Sequence, residues 1–302
     1  MNRLRCGAAL ACASLVMSRP ALAHVVVGAR VFPVTLTFDD PGVGDEATLP
    51  QFVYAPGPGG QNDYEFQWEY DKTITPTTAL IYNQGWDILQ QPGMKTHTGL
   101  ENAILTGKWQ SITIPNSETV VSLGVMYEFG GSAATQSIGG DATGATLPTL
   151  YVGQGLGPLP IGLLRPLAVT GELSYSIPDV RLNCAGNNNG QPFYWAAGLS
   201  LQYSIPYLQT EVKHFALPDF ISRLYPLVEL DWFTPAAGPA FGYPETFTIA
   251  PGVIYMGDTY QVGLEALIPG NKAAGPHVGA ILQVHFFFDD SFPNTLGRPL
   301  FQ

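Results

Sequence analysis

The sequence predicts an all-β protein, a single antiparallel transmembrane β-barrel of about twelve strands, with ten or fourteen also compatible. Charged residues make up only 12% of the 302-residue chain, about half of their share in ordinary soluble domains. Beyond the N-terminus, every apolar stretch is interrupted before it reaches the about 20 residues of a membrane-spanning helix. Long segments instead alternate apolar and polar residues with a period of two, which indicates strands with one apolar face.

The first 23 residues have the parts of a secretory signal peptide. Two arginines lie near the start, Cys6 to Met17 form an apolar core, and Ala21-Leu22-Ala23 is a small-residue cleavage site. We therefore expect an exported chain whose mature form begins at His24; the alternative is an uncleaved membrane anchor. The mature chain keeps one cysteine, Cys184, which excludes an internal disulfide framework.

The mature chain is expected to form one barrel domain over residues 62–302. Residues 24–61 precede it as an N-terminal segment that fits a periplasmic stretch, a plug or a first strand. The strand candidates from residue 62 onward number about eleven, and Val31 to Phe38 is a candidate for one more. Because single-chain bacterial barrels have even strand numbers, we take twelve.

The alternating segments are longer than the strands of most soluble proteins. From Asp63 to Asp71 every even position is aromatic and every odd position is polar. The same alternation recurs in Thr119–Gly130, Leu167–Ile177, Phe193–Ile205, Leu224–Trp232, Tyr260–Ile268 and Val278–Phe288. Lengths of about 9 to 11 residues suit a tilted crossing of a bilayer, whereas strands elsewhere average about five or six. The alternative is a secreted soluble β-sandwich, a binding or adhesion module with its aromatic residues buried between two sheets.

In a barrel with this alternation, acidic residues point into the lumen. Near the midplane a base on the lipid face would cost about 2 to 4 kcal/mol and an acid somewhat less, so charges are placed inside. The residues expected to line the lumen are Asp63, Glu65, Glu69, Glu128, Glu172, Glu229, Asp231, Glu265 and His285. Rings of carboxylates favour cations, so we expect passage of cations or neutral polar solutes. Alternatively, these carboxylates form hydrogen bonds across the interior and only fill it.

Several other functions do not fit the sequence. A chain with net charge −11 lacks the Lys and Arg clusters of nucleic-acid-binding proteins. None of its five histidines has a metal-binding spacing, and the G-x-S-x-G nucleophile signature is absent. The carboxylate pairs Asp39-Asp40 and Asp289-Asp290 fit either solvated strand ends or a weak Ca²⁺ or charge site. The sequence therefore predicts no enzyme, no cofactor and no metal centre.

A resemblance to a known family adds a substrate class. The segment Thr98 to Trp109 resembles a Gly-Leu-Glu then Gly-Lys-Tyr strand, and Ser117 to Gly124 is similar to a following strand that opens with an acidic residue. Ile249 to Val253 and Tyr260 to Gly263 resemble the last strands of the same family. The family is the outer-membrane channel family named for the MetA pathway of phenol degradation, and the similarity covers roughly residues 60–290. It implies uptake of hydrophobic or aromatic small molecules.

The end of the chain departs from the usual barrel pattern. The last strand should end near Phe288, and Phe301 is only the penultimate residue. Either the tail forms part of the closing strand, or the signal for insertion is internal. Together these expectations describe a passive outer-membrane channel of a Gram-negative bacterium. Its partners would be outer-membrane lipid, small-molecule solutes and, during insertion, the barrel-assembly machinery.

Overall fold

The structure is a computed structural model that describes residues 25–181, 190–236 and 243–301. The predicted signal peptide, residues 1–23, lies outside the described residues, as do His24 and Cys184. Among the described residues, no helix is long and apolar enough to cross a membrane.

Twelve antiparallel strands close into a barrel, which confirms the predicted fold class. A hairpin precedes the wall and consists of β1 (Val25–Val27) and β2 (Arg30–Phe32). The wall contains β3 (Glu46–Pro56), β4 (Asn62–Thr75), β5 (Thr78–Gln90), β6 (His97–Leu100), β7 (Ile104–Ile114), β8 (Thr119–Glu128), β9 (Ala145–Gly155), β10 (Leu167–Pro178), β11 (Tyr194–Tyr203), β12 (Leu224–Pro235), β13 (Thr246–Met256), β14 (Tyr260–Pro269) and β15 (Gly279–Phe287). The strands β6 and β7 both pair with one edge of β5 and share one place in the wall. Pairing of β15 with β3 closes the barrel.

The helices are short and lie in the connections. They are α1 (Ala133–Ser137), α2 (Ile205–Tyr207), α3 (Asp219–Ser222) and α4 (Phe288–Ser291), with 3₁₀ turns at Pro58–Gly60, Pro115–Ser117 and Gly162–Leu164 and a π turn at Leu208–Val212. We call the end of the barrel where β3 begins and β15 ends the terminal end. The opposite end, which carries the β3–β4, β8–β9 and β10–β11 connections, is the loop end.

The strands present apolar residues outward and polar residues to the lumen. On β11 and β12, Leu199 and Val228 are 46% and 38% exposed, whereas their chain neighbours Ser200 and Glu229 are fully buried. The buried side chains of these strands face the interior of one closed sheet rather than a second sheet. This arrangement excludes the β-sandwich alternative.

The first wall strand differs from the strand that the sequence suggested. Of the candidate Val31 to Phe38, only residues up to Phe32 belong to a strand, the short β2, and this strand is not part of the wall. The twelfth wall strand is β3, Glu46–Pro56, which lies within the predicted N-terminal segment. Its register shifts between Thr48 and Gln51 on both sides of the strand, and this bulge breaks the period-two pattern that identified the other strands.

Residues 25–45 fold into the barrel from its terminal end, and we call them the plug. The β1–β2 hairpin comes first, and the following residues run in extended form up the lumen before turning back to β3. Phe32, Val34 and Leu36 are almost completely buried. Within the N-terminal segment, residues 25–45 thus form the plug, and Glu46–Pro56 forms a strand of the wall.

The C-terminal tail returns to the wall. After Phe287, the chain leaves the sheet, and near its end the amide of Leu300 donates to the Thr73 carbonyl at 3.2 Å. The amide of Phe301 donates to the Ile74 carbonyl at 2.8 Å. These carbonyls lie on β4 beyond the point where its pairing with β3 ends. The tail thus lies against β4 at the terminal end and is not part of the closing strand β15, where the first of the two sequence alternatives had placed it.

Candidate functional site: the lumen and its plug

Glu229, on the inner face of β12, binds the backbone of the plug. Its carboxylate accepts hydrogen bonds from the Thr37 amide at 2.9 Å, the Thr37 hydroxyl at 2.7 Å and the Leu36 amide at 3.2 Å. Glu229 is fully buried, so these donors replace the water that a carboxylate otherwise requires. The residue predicted to line the lumen thus holds the extended part of the plug.

Two glutamines, on β14 and β15, continue this contact with the plug. The side chain of Gln261 accepts from the Val34 amide at 3.2 Å and donates to the Val34 carbonyl at 2.8 Å. Gln283 donates to the Thr35 carbonyl at 3.2 Å. Because the extended plug has no strand partner here, wall side chains satisfy its backbone groups. Both glutamines lie on the polar face of their strands, but neither was among the lumen residues predicted from the sequence.

Lys108 of β7 holds the turn of the plug. Its ammonium group lies 2.7 Å from the Asp39 carboxylate and donates to the Asp40 carbonyl at 2.7 Å. It also lies 4.5 Å from the centre of the Tyr151 ring. The Asp39 amide donates to Glu172 of β10 at 3.1 Å. The Asp39-Asp40 pair therefore lies inside the lumen and not at a solvated strand end.

Sequence reasoning missed Lys108, although a signal was present. Thr106, Lys108 and Gln110 alternate with Leu105 and Trp109, so the period-two rule places the lysine on the inner face.

Arg30 fixes the base of the plug at the terminal end. This fully buried guanidinium lies 3.0 Å from Glu118 and donates to the Pro166 carbonyl at 2.8 Å. It stacks 4.0 Å from the ring centre of Tyr207, whose hydroxyl donates to Glu118 at 2.8 Å. The planar guanidinium group can donate to the carboxylate and the carbonyl while its face stacks on the aromatic ring. No pattern in the sequence identified Arg30 as a lumen residue.

Three further residues predicted to line the lumen, His285, Glu69 and Glu265, do not contact the plug backbone in the way that Glu229 does. The ring of His285 contacts the Thr48 hydroxyl at 2.8 Å and the Glu46 carboxylate at 3.0 Å. Glu69 accepts a hydrogen bond from the Asn83 amide. Glu265 is 2% exposed, and neither of its carboxylate oxygens accepts a hydrogen bond from the described residues.

Four carboxylates meet near the loop end, and we call them the mouth carboxylates. They are Asp63 and Glu65 of β4, Asp87 of β5 and Glu101, which precedes β7. Asp87 lies directly opposite Glu65 across the β4–β5 pair. The amide nitrogen of Gln67 donates to Glu65 at 2.8 Å and reaches Glu101 at 3.4 Å.

Glu128 lies apart from the mouth carboxylates, at the loop end of β8. The Asp141 carboxylate, in the β8–β9 connection, is its charged neighbour. Burial raises the pKa of Asp141, while a hydrogen bond from the Tyr243 hydroxyl at 2.8 Å lowers it. The predicted carboxylates therefore do not form one ring. They divide into plug contacts, the mouth carboxylates and isolated buried groups.

Two cavities remain between the plug and the loop end. One has a volume of about 290 Å³ and is lined by Glu69, Glu101 and Glu172 together with plug residues from Val34 to Asp39. The other has a volume of about 420 Å³ and is lined by Glu65, Glu172 and Asp231. Leu36 and Phe38 of the plug contribute an apolar floor to both. The lysines and arginines of the described residues line neither cavity.

Within residues 25–181, 190–236 and 243–301, no group of three or more His, Cys, Asp or Glu side chains is arranged to hold a metal ion. The Asp289-Asp290 pair, the other carboxylate pair in the sequence, lies in the C-terminal tail. There, the Asp45 amide donates to Asp289 at 3.2 Å. Burial, together with the neighbouring Asp45 carboxylate, raises the pKa of Asp289 to about 8.

Comparisons with known proteins identify the fold. No family model matches the sequence, and no curated protein matches it. The structure is similar to an outer membrane channel from Pseudomonas putida F1, with a TM-score of 0.54, 11% identity and coverage of 85% of this chain and 99% of that chain. The beta domain of the Bordetella autotransporter BrkA (TM-score 0.42, 12% identity, 82% and 99% covered) and the translocator domain of NalP from Neisseria meningitidis (0.41, 11%, 80% and 87%) also match. The chain thus has the fold of an outer-membrane β-barrel.

Proposed function

We propose that this protein is an outer-membrane channel of a Gram-negative bacterium through which small molecules pass passively, restricted by the plug. The observation that carries the proposal is the closed barrel with an apolar exterior and a polar lumen that still holds two cavities beside the plug. Only a closed barrel or a helix satisfies the backbone groups of a chain in lipid. This proposal is for a channel and not for an enzyme.

The proposed cation preference depends on the lumen carboxylates that do not accept hydrogen bonds from plug amides; of these, Asp231 meets the plug only through the Thr37 side chain. Glu172 and Glu229 accept hydrogen bonds from plug amides, so their charges are partly compensated. Glu65 and Asp231 line the second cavity without a basic neighbour in its lining. These two residues are therefore better placed to select for cations.

The proposal also covers the location of the protein and the class of its substrates. The signal-peptide pattern of residues 1–23 supports export, and the fold supports insertion into the outer membrane by the barrel-assembly machinery. The resemblance to the MetA-type family supports hydrophobic or aromatic solutes. The apolar floor formed by Leu36 and Phe38 supports the same substrates, since it offers an apolar surface beside the carboxylates.

The test is a conductance measurement on the full-length mature protein in planar bilayers. We expect discrete conductance, a larger conductance when residues 25–43 are deleted, and a reversal potential that indicates cation preference in a KCl gradient. Replacing Glu65 with Gln and Asp231 with Asn should reduce this preference. Asp258→Asn is the matched control, because Asp258 is an exposed acid in the turn between β13 and β14 at the terminal end.

Two results would count against the proposal. A protein that fractionates with soluble proteins and refolds without detergent would contradict the membrane location. An inserted protein without conductance, both in the wild type and after plug deletion, would contradict the channel. Unchanged ion preference in the double variant would contradict only the role of the two carboxylates.

A further inference from the structure

The mouth carboxylates combine four acidic groups with no basic partner. None of the ion pairs that the described residues form includes Asp63, Glu65, Asp87 or Glu101. The one neutral donor between them is the amide of Gln67. Four carboxylates around one amide leave far more acceptors than donors.

The most buried member of the group lacks a donor. Asp87 is only 5% exposed, and its Oδ1 atom accepts no hydrogen bond from the part of the chain that the structure describes. The same holds for the buried Oδ1 atom of Asp63 and the buried Oε1 atom of Glu101. Buried acceptors without donors are uncommon in folded proteins, and each costs about 1 to 3 kcal/mol. Because the Asp63 and Asp87 carboxyl groups can satisfy each other only by sharing a proton, a cationic donor from outside the chain would take the place of that proton.

The chemistry of this donor follows from charge and geometry. The described side chains include no group arranged to hold a metal ion, which requires several oxygens at short distances from one centre. A primary ammonium group instead carries three N–H donors and reaches oxygens about 2.7 to 2.9 Å from its nitrogen. It can therefore satisfy acceptors that are too far apart for Ca²⁺ or Mg²⁺, whose oxygen ligands lie at about 2.0 to 2.6 Å.

The space beside the mouth carboxylates accommodates an alkyl chain. Glu101 lines the smaller cavity and Glu65 lines the larger one, so each cavity borders one of the mouth carboxylates. Each cavity extends to Leu36 and Phe38 of the plug. A ligand with an ammonium head at the carboxylates could lay an apolar chain against these two side chains.

We propose that Asp63, Glu65, Asp87 and Glu101 bind the ammonium group of a primary alkylamine whose chain extends toward the plug. This inference rests on the proposed channel function and names a substrate class for it. The mouth carboxylates would concentrate alkylammonium ions at the loop end, and the cavities would hold the chain before passage.

The test measures binding of hexylammonium chloride to the purified full-length barrel in neutral detergent by isothermal titration calorimetry. Hexan-1-ol serves as the uncharged probe of equal chain length, and potassium chloride controls for ionic strength. We expect saturable binding of hexylammonium and none of hexanol at the same concentrations. Asp87→Asn and Glu101→Gln should each weaken binding about tenfold, because each removes one charge-assisted hydrogen bond. Asp258→Asn, the exposed acid at the terminal end, should bind as the wild type does.

Equal binding of hexylammonium and hexanol would overturn the inference, and this comparison needs only the wild-type protein. Unchanged affinity in both variants, with unchanged heat-modifiable migration on a gel, would also overturn it. Conductance without amine binding would contradict the amine site but not the channel function. Amine binding without conductance would contradict the channel function but not the amine site.

Discussion

Lys108 of the wall and Asp39 of the plug form a buried ion pair with 2.7 Å between the ammonium nitrogen and the carboxylate oxygen. Lys108 is 3% exposed, and it also donates to the Asp40 carbonyl. The pair therefore joins the turn of the plug to β7, a wall strand that is distant from the plug in the sequence. Because buried charges require partners, the pair makes the position of the turn of the plug depend in part on Lys108.

Replacing Lys108 with Met should loosen the plug. The change leaves Asp39 without its cation, and breaking a buried pair from one side costs about 3 to 5 kcal/mol. We expect a larger or noisier single-channel conductance and a lower temperature for the heat-modifiable shift on a gel. Lys95→Met is the control, since Lys95 is an exposed loop residue. Conductance and stability equal to those of the control would show that the pair does not hold the plug.

Replacing Glu229 with Gln should release the extended part of the plug. An amide nitrogen in place of one carboxylate oxygen would face donors at Leu36 and Thr37, and the charge of the acceptor would be lost. We expect faster hydrogen exchange in a peptide covering residues 33–40, measured by mass spectrometry. Glu211→Gln, an exposed acid in the β11–β12 connection, should leave this exchange unchanged. Slow exchange in both variants would contradict the role of Glu229.

The alternation of the sequence predicted the direction of Glu172 and Glu229 because successive residues of a strand face opposite sides. It could not predict what these carboxylates bind. Leu36 is separated from Glu229 by 193 positions, and no local pattern specifies that contact. The alternation thus indicates on which face of a strand each charge lies, whereas the plug that contacts two of these charges was only one of three alternatives.

Irregular backbone structure also limited what could be predicted from the sequence. The strand β3 was missed because the bulge between Thr48 and Gln51 shifts its register, and a period-two search requires an unbroken pattern. Arg30 was missed because its partners, Glu118, Tyr207 and the Pro166 carbonyl, come from connections at the terminal end. Connections carry no periodic signal, so their contacts are visible only in the folded chain.

Replacing Glu265 with Leu should stabilise the barrel. No described residue donates a hydrogen bond to the buried carboxylate oxygens of Glu265, which has the acidic neighbours Glu229 and Asp231 and can form a hydrogen bond with Glu229 only by sharing a proton. Removal of an unsatisfied buried group should recover about 1 to 3 kcal/mol, and leucine has a similar volume. We expect a higher temperature for the heat-modifiable shift at pH 7. Ile281→Leu, a conservative change at the neighbouring inward position on β15, is the control. A lower transition temperature for Glu265→Leu alone would indicate that the carboxyl group has a partner in the folded protein.

Docking of the C-terminal tail should weaken as the pH rises. The pKa of Asp289 is raised from 3.8 to about 8, chiefly by burial and also by the Asp45 carboxylate. A raised pKa means that the folded state prefers the protonated form. Its stabilising contribution is therefore fully present below about pH 4 and is lost as the pH rises through about 8. Near pH 9, two carboxylates would face each other where the tail joins the plug and the wall.

The measurement is hydrogen exchange of the tail amides of Leu300 and Phe301, which donate to β4. After correction for the intrinsic pH dependence of exchange, protection should fall between pH 5 and pH 9 in the wild type. Asp289→Asn imitates the protonated side chain, so its protection should stay nearly constant over this range. Asp258→Asn should retain the dependence of the wild type, since that exposed acid lies in another turn. If the Asp289→Asn protein loses protection as steeply as the wild type does, another group controls the docking of the tail.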